Sequence, residues 1–286
     1  MKAALGRRCP AVVLGLALLV PTCAQRSAGV IPAYERWAVV IGVGDYASAS
    51  LQRPRYSVAD AEAIYQLLVG PVGFKNANVV LLTDRTERKP TLENLRWALG
   101  SFLVQAAKPN DTVLIYFAGR FGFANGTKYL LAQDTEPATL ASTALPMDEL
   151  GSLVDRIASG RVVALFEANY SGSAIGLSAG KMLGSTGSAE RLTGSNGRAG
   201  IAASQSWGES VELPELGHGV FTYYLLEGVK GAADVNGDGI VTLGELYEYV
   251  AQQVRRKSTL AGRPQVPVMA ATGTFDFMRG EFLRWR

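Results

Sequence analysis

Two short stretches of this chain carry residues whose types and spacing suit chemistry. The first, DVNGDGIVTLGE from Asp234 to Glu245, puts oxygen-bearing side chains at loop positions one, three, five, nine and twelve and a glycine at position six. A hard divalent cation such as calcium takes six to eight oxygens, and a loop of this spacing supplies most of them from one turn. The pattern therefore predicts calcium held by the side chains of Asp234, Asn236, Asp238 and Glu245, by the backbone carbonyl of Ile240, and by Thr242 directly or through water. Read as structure alone, the same residues make an Asx-rich turn with no ion.

The second stretch, ALFEANYSGSA from Ala164 to Ala174, reads as a buried strand that breaks into a small-residue turn, the layout a nucleophile usually needs. At the position that matters it offers Asn169, whose amide nitrogen is a poor nucleophile. Tyr170 and Ser171 carry hydroxyls beside it, but a serine needs a base. The only histidine, His218, lies in a Gly-His-Gly ahead of a helical pattern, where a capping or packing role is expected. The only cysteines, Cys9 and Cys23, lie in the N-terminal apolar leader, so the remaining chain has no thiol and no disulfide.

These residues need a frame to hold them, and hydropathy patterning supplies one. Strands are predicted at Glu35 to Gly42, Asn78 to Thr83, Thr112 to Gly119, Arg161 to Ala168 and Val266 to Ala270. Helices are predicted from Ser57, over Thr91 to Ala106, Met147 to Ile157, Phe221 to Val229 and Leu243 to Lys257. Strands apolar on both faces and separated by helices argue for an α/β fold with a mostly parallel central sheet covered on both sides. Functional groups then belong at the carboxyl ends of strands. Two such ends are Ala118-Gly119-Arg120 and Glu167-Ala168-Asn169. Asn125-Gly126 marks a hairpin turn, and Ser171 to Gly200, rich in Gly, Ser and Thr, reads as a mobile loop beside the site.

The ordered set WAVVIGVGDY, SVADAEAI, VVLLTD, TLENLRWAL, DTVLIYFAG, KYLLAQDT, LPMDEL, ALFEANYSG and LGHGVFTYYLLEG resembles the caspase and metacaspase-like cysteine peptidases in their bacterial secreted form, over roughly Arg36 to Arg279. The resemblance implies a caspase-like three-layer sandwich. It also implies a catalytic histidine at the end of one strand and a cysteine at the end of another. Here those positions are Arg120 and Asn169. A guanidinium does not accept a proton near neutrality, so both halves of the dyad are missing. Family members line their specificity pocket with two acids, and the matching positions are Asp60 and Glu167. An acidic pocket suits Lys or Arg side chains.

Three readings follow. One is a catalytically inactive domain that binds a peptide or protein partner carrying Lys or Arg and has a structural calcium site. The second is an active endopeptidase with an unrecognised nucleophile, and the third a calcium-stabilised scaffold with no ligand. Strand alternation puts Glu167 and Asn169 on one side, within reach of Arg120, and an internal cluster of these three is expected. The bland alternative has Asp60 completing a helix cap and Glu167 neutralising Arg120.

The N-terminus has the charged, apolar and small-residue sections of a secretory signal, with cleavage expected after Ala24. The expected organisation is a signal peptide at 1–24, a linker at 25–35, a caspase-like domain at 36–279 and a tail at 280–286. A secreted or periplasmic protein follows, with a membrane tie only if Cys23 is lipidated or the leader is retained. The net charge of +3, from scattered Lys and Arg, gives no nucleic-acid stripe.

Overall fold

The computed structural model describes residues 34–170, 197–204, 210–272 and 281–284, with backbone only at 169, 170, 272 and 281–284. The first half of the chain alternates strands and helices. Strand β1 (Arg36–Gly42) leads to helix α1 (Ser57–Val69) and β2 (Val79–Thr83). Thr91 caps the next helix by accepting the amide of Asn94. That helix, predicted as one span, is α2 (Leu92–Trp97), a wider π turn (Ala98–Phe102) and α3 (Leu103–Ala106). The turn widens where Gly100 lies so close to Leu153 that a β-carbon would come within 2.9 Å of that side chain.

Strand β3 (Thr112–Ala124) runs past the predicted end at Gly119 and turns into β4 (Thr127–Leu130). Asn125 and Gly126, at φ 50° and 81°, provide the left-handed pair that a tight hairpin needs. Then come α4 (Leu140–Thr143), β5 (Leu145–Pro146), α5 (Met147–Asp155) and β6 (Val162–Tyr170).

Of the stretch predicted to be a loop, residues 171–196 lie outside the described residues. Its end is strand: β7 spans Arg198–Ala202. Arg198 is buried and donates to the carbonyls of Ser159 and Ile157, just past α5. That long-range tie orders a segment whose composition suggested a loop. The chain continues through β8 (Glu212–Leu213), β9 (His218–Gly219), α6 (Val220–Glu227), β10 (Ile240–Thr242), α7 (Leu243–Leu260), β11 (Val268–Thr272) and β12 (Glu281–Arg284). Part of the predicted tail is therefore β12, paired antiparallel with β10.

The main sheet has the order β11-β7-β6-β3-β1-β2, with β4 on β3 and β5 on β4. Neighbours from β7 to β2 are parallel, and β11 is antiparallel at the edge. A parallel sheet must be covered on both faces. Val39, Ile41, Ile115, Phe117, Ala164 and Phe166 form one core with Leu95 and Leu99 of the α2 to α3 helix and Leu150 and Val154 of α5. Val40, Leu114, Tyr116, Val163 and Leu165 form the other with Ile64 and Leu68 of α1, Phe221 and Leu225 of α6, and Leu246 and Val250 of α7. The result is the three-layer sandwich. Among the described residues no helix is long and apolar enough to cross a membrane.

Phe117 is wholly buried at the centre of the first core. Phe117→Ala is expected to cost about 3 to 5 kcal/mol in denaturant unfolding, whereas Leu260→Ala, at a position 78% exposed, should stay within about 0.5 kcal/mol. Equal losses would mean that this core does not carry the stability assigned to it.

Candidate functional site

Parallel pairing of β3 with β6 sets Ala118 against Glu167 and Arg120 against Asn169 at the carboxyl edge of the sheet. Glu167 continues the side of β6 that carries Val163 and Leu165, which faces α1, α6 and α7. Its carboxylate is buried and caps α6 from the facing strand. Oε2 accepts the Thr222 amide at 2.7 Å and the Thr222 hydroxyl at 3.1 Å. The Thr222 hydroxyl in turn shares a 2.6 Å hydrogen bond with the Tyr116 phenol. The other oxygen, Oε1, is buried with no hydrogen-bond partner.

Asp60 approaches the same segment from α1. Its Oδ1 lies 2.7 Å from Nδ1 of His218, and the Gly219 amide donates to both of its oxygens at 3.2 to 3.3 Å. Gly219 is the pivot: a β-carbon there would fall 2.6 Å from the Glu167 carboxyl carbon. Only a residue without a side chain lets both acids close on one backbone position. A third carboxylate, Glu212 of β8, accepts the amides of Arg55 and Tyr56, so the β8 to β9 hairpin is tied to the entry of α1 through Glu212 and to its first turn through Asp60. The helix itself has no side-chain cap hydrogen bond, and Asp60 does not supply one.

Both buried acids hold a proton more tightly than an exposed carboxylate does. Burial raises Asp60 to about 6, against the lowering effect of the His218 bond and the Gly219 amide. Burial also raises Glu167 well above the usual carboxylate range, with the charge of Asp60 adding to it and the Thr222 donors opposing it.

Of the expected cluster of Arg120, Glu167 and Asn169, the pairing of Arg120 with Glu167 does not form. Arg120 is buried and its Nε donates to the Gln52 carbonyl at 2.9 Å. Glu167 gives its hydrogen bonds to Thr222 and makes none with Arg120. The reason is a competing pair of donors at the start of α6, which sequence spacing does not reveal. The side chain of Asn169 lies outside the described residues, as do Ser171 and the leader with Cys9 and Cys23. Asp60 and Glu167 are brought together, with Asp60 1% and Glu167 5% exposed. Sequence reasoning missed Thr222, Glu212 and the His218 bond. The Gly-His-Gly motif was the only signal, and nothing in it points to a partner 158 residues away.

In the loop from Asp234 to Glu245, the Asp234 carboxylate accepts the amides of Gly237 and Gly239, Asn236 accepts that of Asp238, and Asp238 accepts that of Ile240. Gly239, at position six, has φ 78°, and Val241 at position eight is buried. Glu245 closes a capping box with Thr242 at the start of α7. Among the described residues no three His, Cys, Asp or Glu groups stand close enough together to hold a metal ion. The backbone frame and the oxygen donors suit a hard cation. The acids are turned to their own amides.

A central parallel sheet between two helical layers, with these positions at its carboxyl edge, defines a caspase-fold α/β protein. The family model described as Caspase domain matches residues 35–278, and the chain belongs to that family. Metacaspase-1 of Eremothecium gossypii is 31% identical over 156 residues, covering 50% of this chain and 33% of that protein, so the match spans a third of the relative's length. A crystallised protein of Geobacter sulfurreducens superposes with TM-score 0.62 at 16% identity, over 88% of this chain and 99% of that one. Caspase-1 of Spodoptera frugiperda does so with TM-score 0.55 at 14% identity, over 84% and 88%. At those identities the likeness is one of fold.

Two acids with raised proton affinity bind protons more readily folded than unfolded. Their contribution is full at pH values below the unfolded pKa, about 4, and is lost as pH rises through the folded values, about 6 for Asp60. Glu167→Gln keeps an oxygen to accept from Thr222 and removes the charge. It is expected to raise the melting temperature at pH 7.5 and to flatten its fall between pH 4 and that pH. A lower melting temperature with an unchanged pH profile would show the carboxylate to be stabilising as it stands.

Proposed function

We propose that this caspase-domain chain does not hydrolyse peptides and serves as a secreted or periplasmic binding domain for a peptide or protein partner that presents Lys or Arg, with calcium as a structural cofactor. One observation carries the first part of this reading: Arg120 of β3 and Asn169 of β6 are partners in the backbone register of the two strands. These are the positions that the family resemblance assigns to the base and the nucleophile. A guanidinium offers no lone pair near neutrality, and an amide nitrogen attacks a carbonyl poorly. His218, the only imidazole, commits Nδ1 to Asp60. Two neighbouring acids, Asp60 and Glu167, give the partner its chemistry, since cationic side chains pair with carboxylates.

Purified protein lacking the leader is expected to show no turnover of peptide reporters with Lys or Arg before the scissile bond, with or without calcium. Reproducible cleavage that disappears in Ser171→Ala would overturn this reading in favour of an active endopeptidase.

Calcium, when bound, supplies charge neutralisation at the start of α7. Asp234, Asn236, Asp238, Thr242 and Glu245 would hold it through side-chain oxygens, and Ile240 through its carbonyl. Binding to the folded chain alone stabilises it by about 2.7 kcal/mol at 100-fold excess over the dissociation constant. Thermal melting is therefore expected to move upward from chelator to millimolar calcium. Glu245→Gln separates ion from cap, because glutamine still completes a capping box but lacks the carboxylate. The variant should melt like the parent in chelator and lose the calcium response. Identical melting of the parent in chelator and in calcium, with no heat of binding by calorimetry, would remove calcium from the account.

A further inference from the structure

We propose that His218 is a tethered occupant of the acidic pocket, an intramolecular contact that a cationic partner must displace from Asp60. This rests on the reading of Asp60 and Glu167 as the partner's pocket and adds how access to it is controlled. The geometry is that of a placed ligand. Asp60 is almost wholly covered, while the imidazole bonded to it keeps 23% of its side-chain surface exposed. The ring therefore meets solvent on one side and the buried acid on the other. It comes from β9, whose short hairpin with β8 is fixed to α1 through Glu212 and to Asp60 through the Gly219 amide.

A second observation shows that the pocket has more acceptor capacity than its internal donors fill. Glu167 Oε1 is buried without a hydrogen-bond partner, and the carboxyl carbon of that residue packs against Gly219, immediately next to the imidazole in sequence. A buried carboxylate oxygen left without a donor is costly. The donors that reach the two acids from this segment go elsewhere than Oε1: the Gly219 amide and the ring serve Asp60, and the Thr222 amide and hydroxyl serve Oε2 of Glu167. A guanidinium carries five N–H groups and can serve two acids at once. The single imidazole, held to Asp60 through Nδ1, leaves Oε1 unserved. An arginine side chain in its place would satisfy both acids, and this gives displacement its driving force.

An internal occupant lowers apparent affinity by the fraction of molecules in which the site is free. His218→Ala should thus bind N-acetylarginine amide about tenfold or more tightly than the parent, and Asp60→Asn should abolish the gain in that background. The parent offers a second readout that needs no variant. With one histidine in the chain, selective nitrogen labelling gives one pair of imidazole resonances. Titration with N-acetylarginine amide is expected to shift them along the binding curve as Nδ1 leaves Asp60. Binding with unmoved resonances and equal affinity in His218→Ala would overturn the tethered occupant while leaving the pocket reading intact. No binding to the parent or the variant, with the resonances unmoved at the highest soluble concentration, would overturn both. Should His218→Ala not fold, the resonances of the parent decide alone.

Discussion

The carboxyl edge of this molecule is organised by the need to satisfy buried carboxylates with donors from one short segment. Asp60 comes from α1 and Glu167 from β6, and both close on Gly219. Leaving an ionised carboxylate in an apolar interior without donors costs several kcal/mol. The segment from His218 to Thr222 therefore supplies an imidazole, two amides and a hydroxyl in five residues. That demand fixes where α6 begins and how the β8 to β9 hairpin meets α1. It also explains why the acids do not turn to Arg120, whose guanidinium is engaged toward the β1 to α1 connection.

The rest of the sandwich serves this edge. Parallel strands with both faces covered place β3 and β6 side by side with no freedom of register, because a slip by one residue would turn Phe117 and Phe166 out of one core and Tyr116 and Leu165 out of the other. Arg120 and Asn169 are thereby held opposite each other. The same geometry in a chain with imidazole and thiol at those places would bring a base and a nucleophile together. Here those two backbone positions carry an arginine and an asparagine.

Much of this was legible in the sequence where the signal is local. Apolar runs separated by capped helical patterns gave the layers, and Asn125-Gly126 gave the hairpin. The ordered motifs led to the caspase family, which the match over residues 35–278 shows. Contacts across long separations were not legible. Arg198 lies in a stretch of glycine and serine and becomes strand because three carbonyls near the end of α5 accept its guanidinium. Glu167 was expected to meet the nearest cation, and Thr222 won because an amide at a helix start and a hydroxyl form a pre-aimed pair. The loop from Asp234 to Glu245 lies between. Its residue pattern is local and clear, yet whether three acids gather on an ion depends on the ion itself.

The central claim is that this edge holds a cationic partner and leaves it uncut. It is tested most directly by incubating the chain with an arginine-containing peptide at equilibrium, measuring the bound fraction, and weighing the recovered peptide by mass spectrometry. The account expects saturable binding that is lost in Glu167→Gln with Asp60→Asn, and a peptide recovered at its full mass. A peptide recovered as two fragments, or binding that survives loss of both acids, would contradict it.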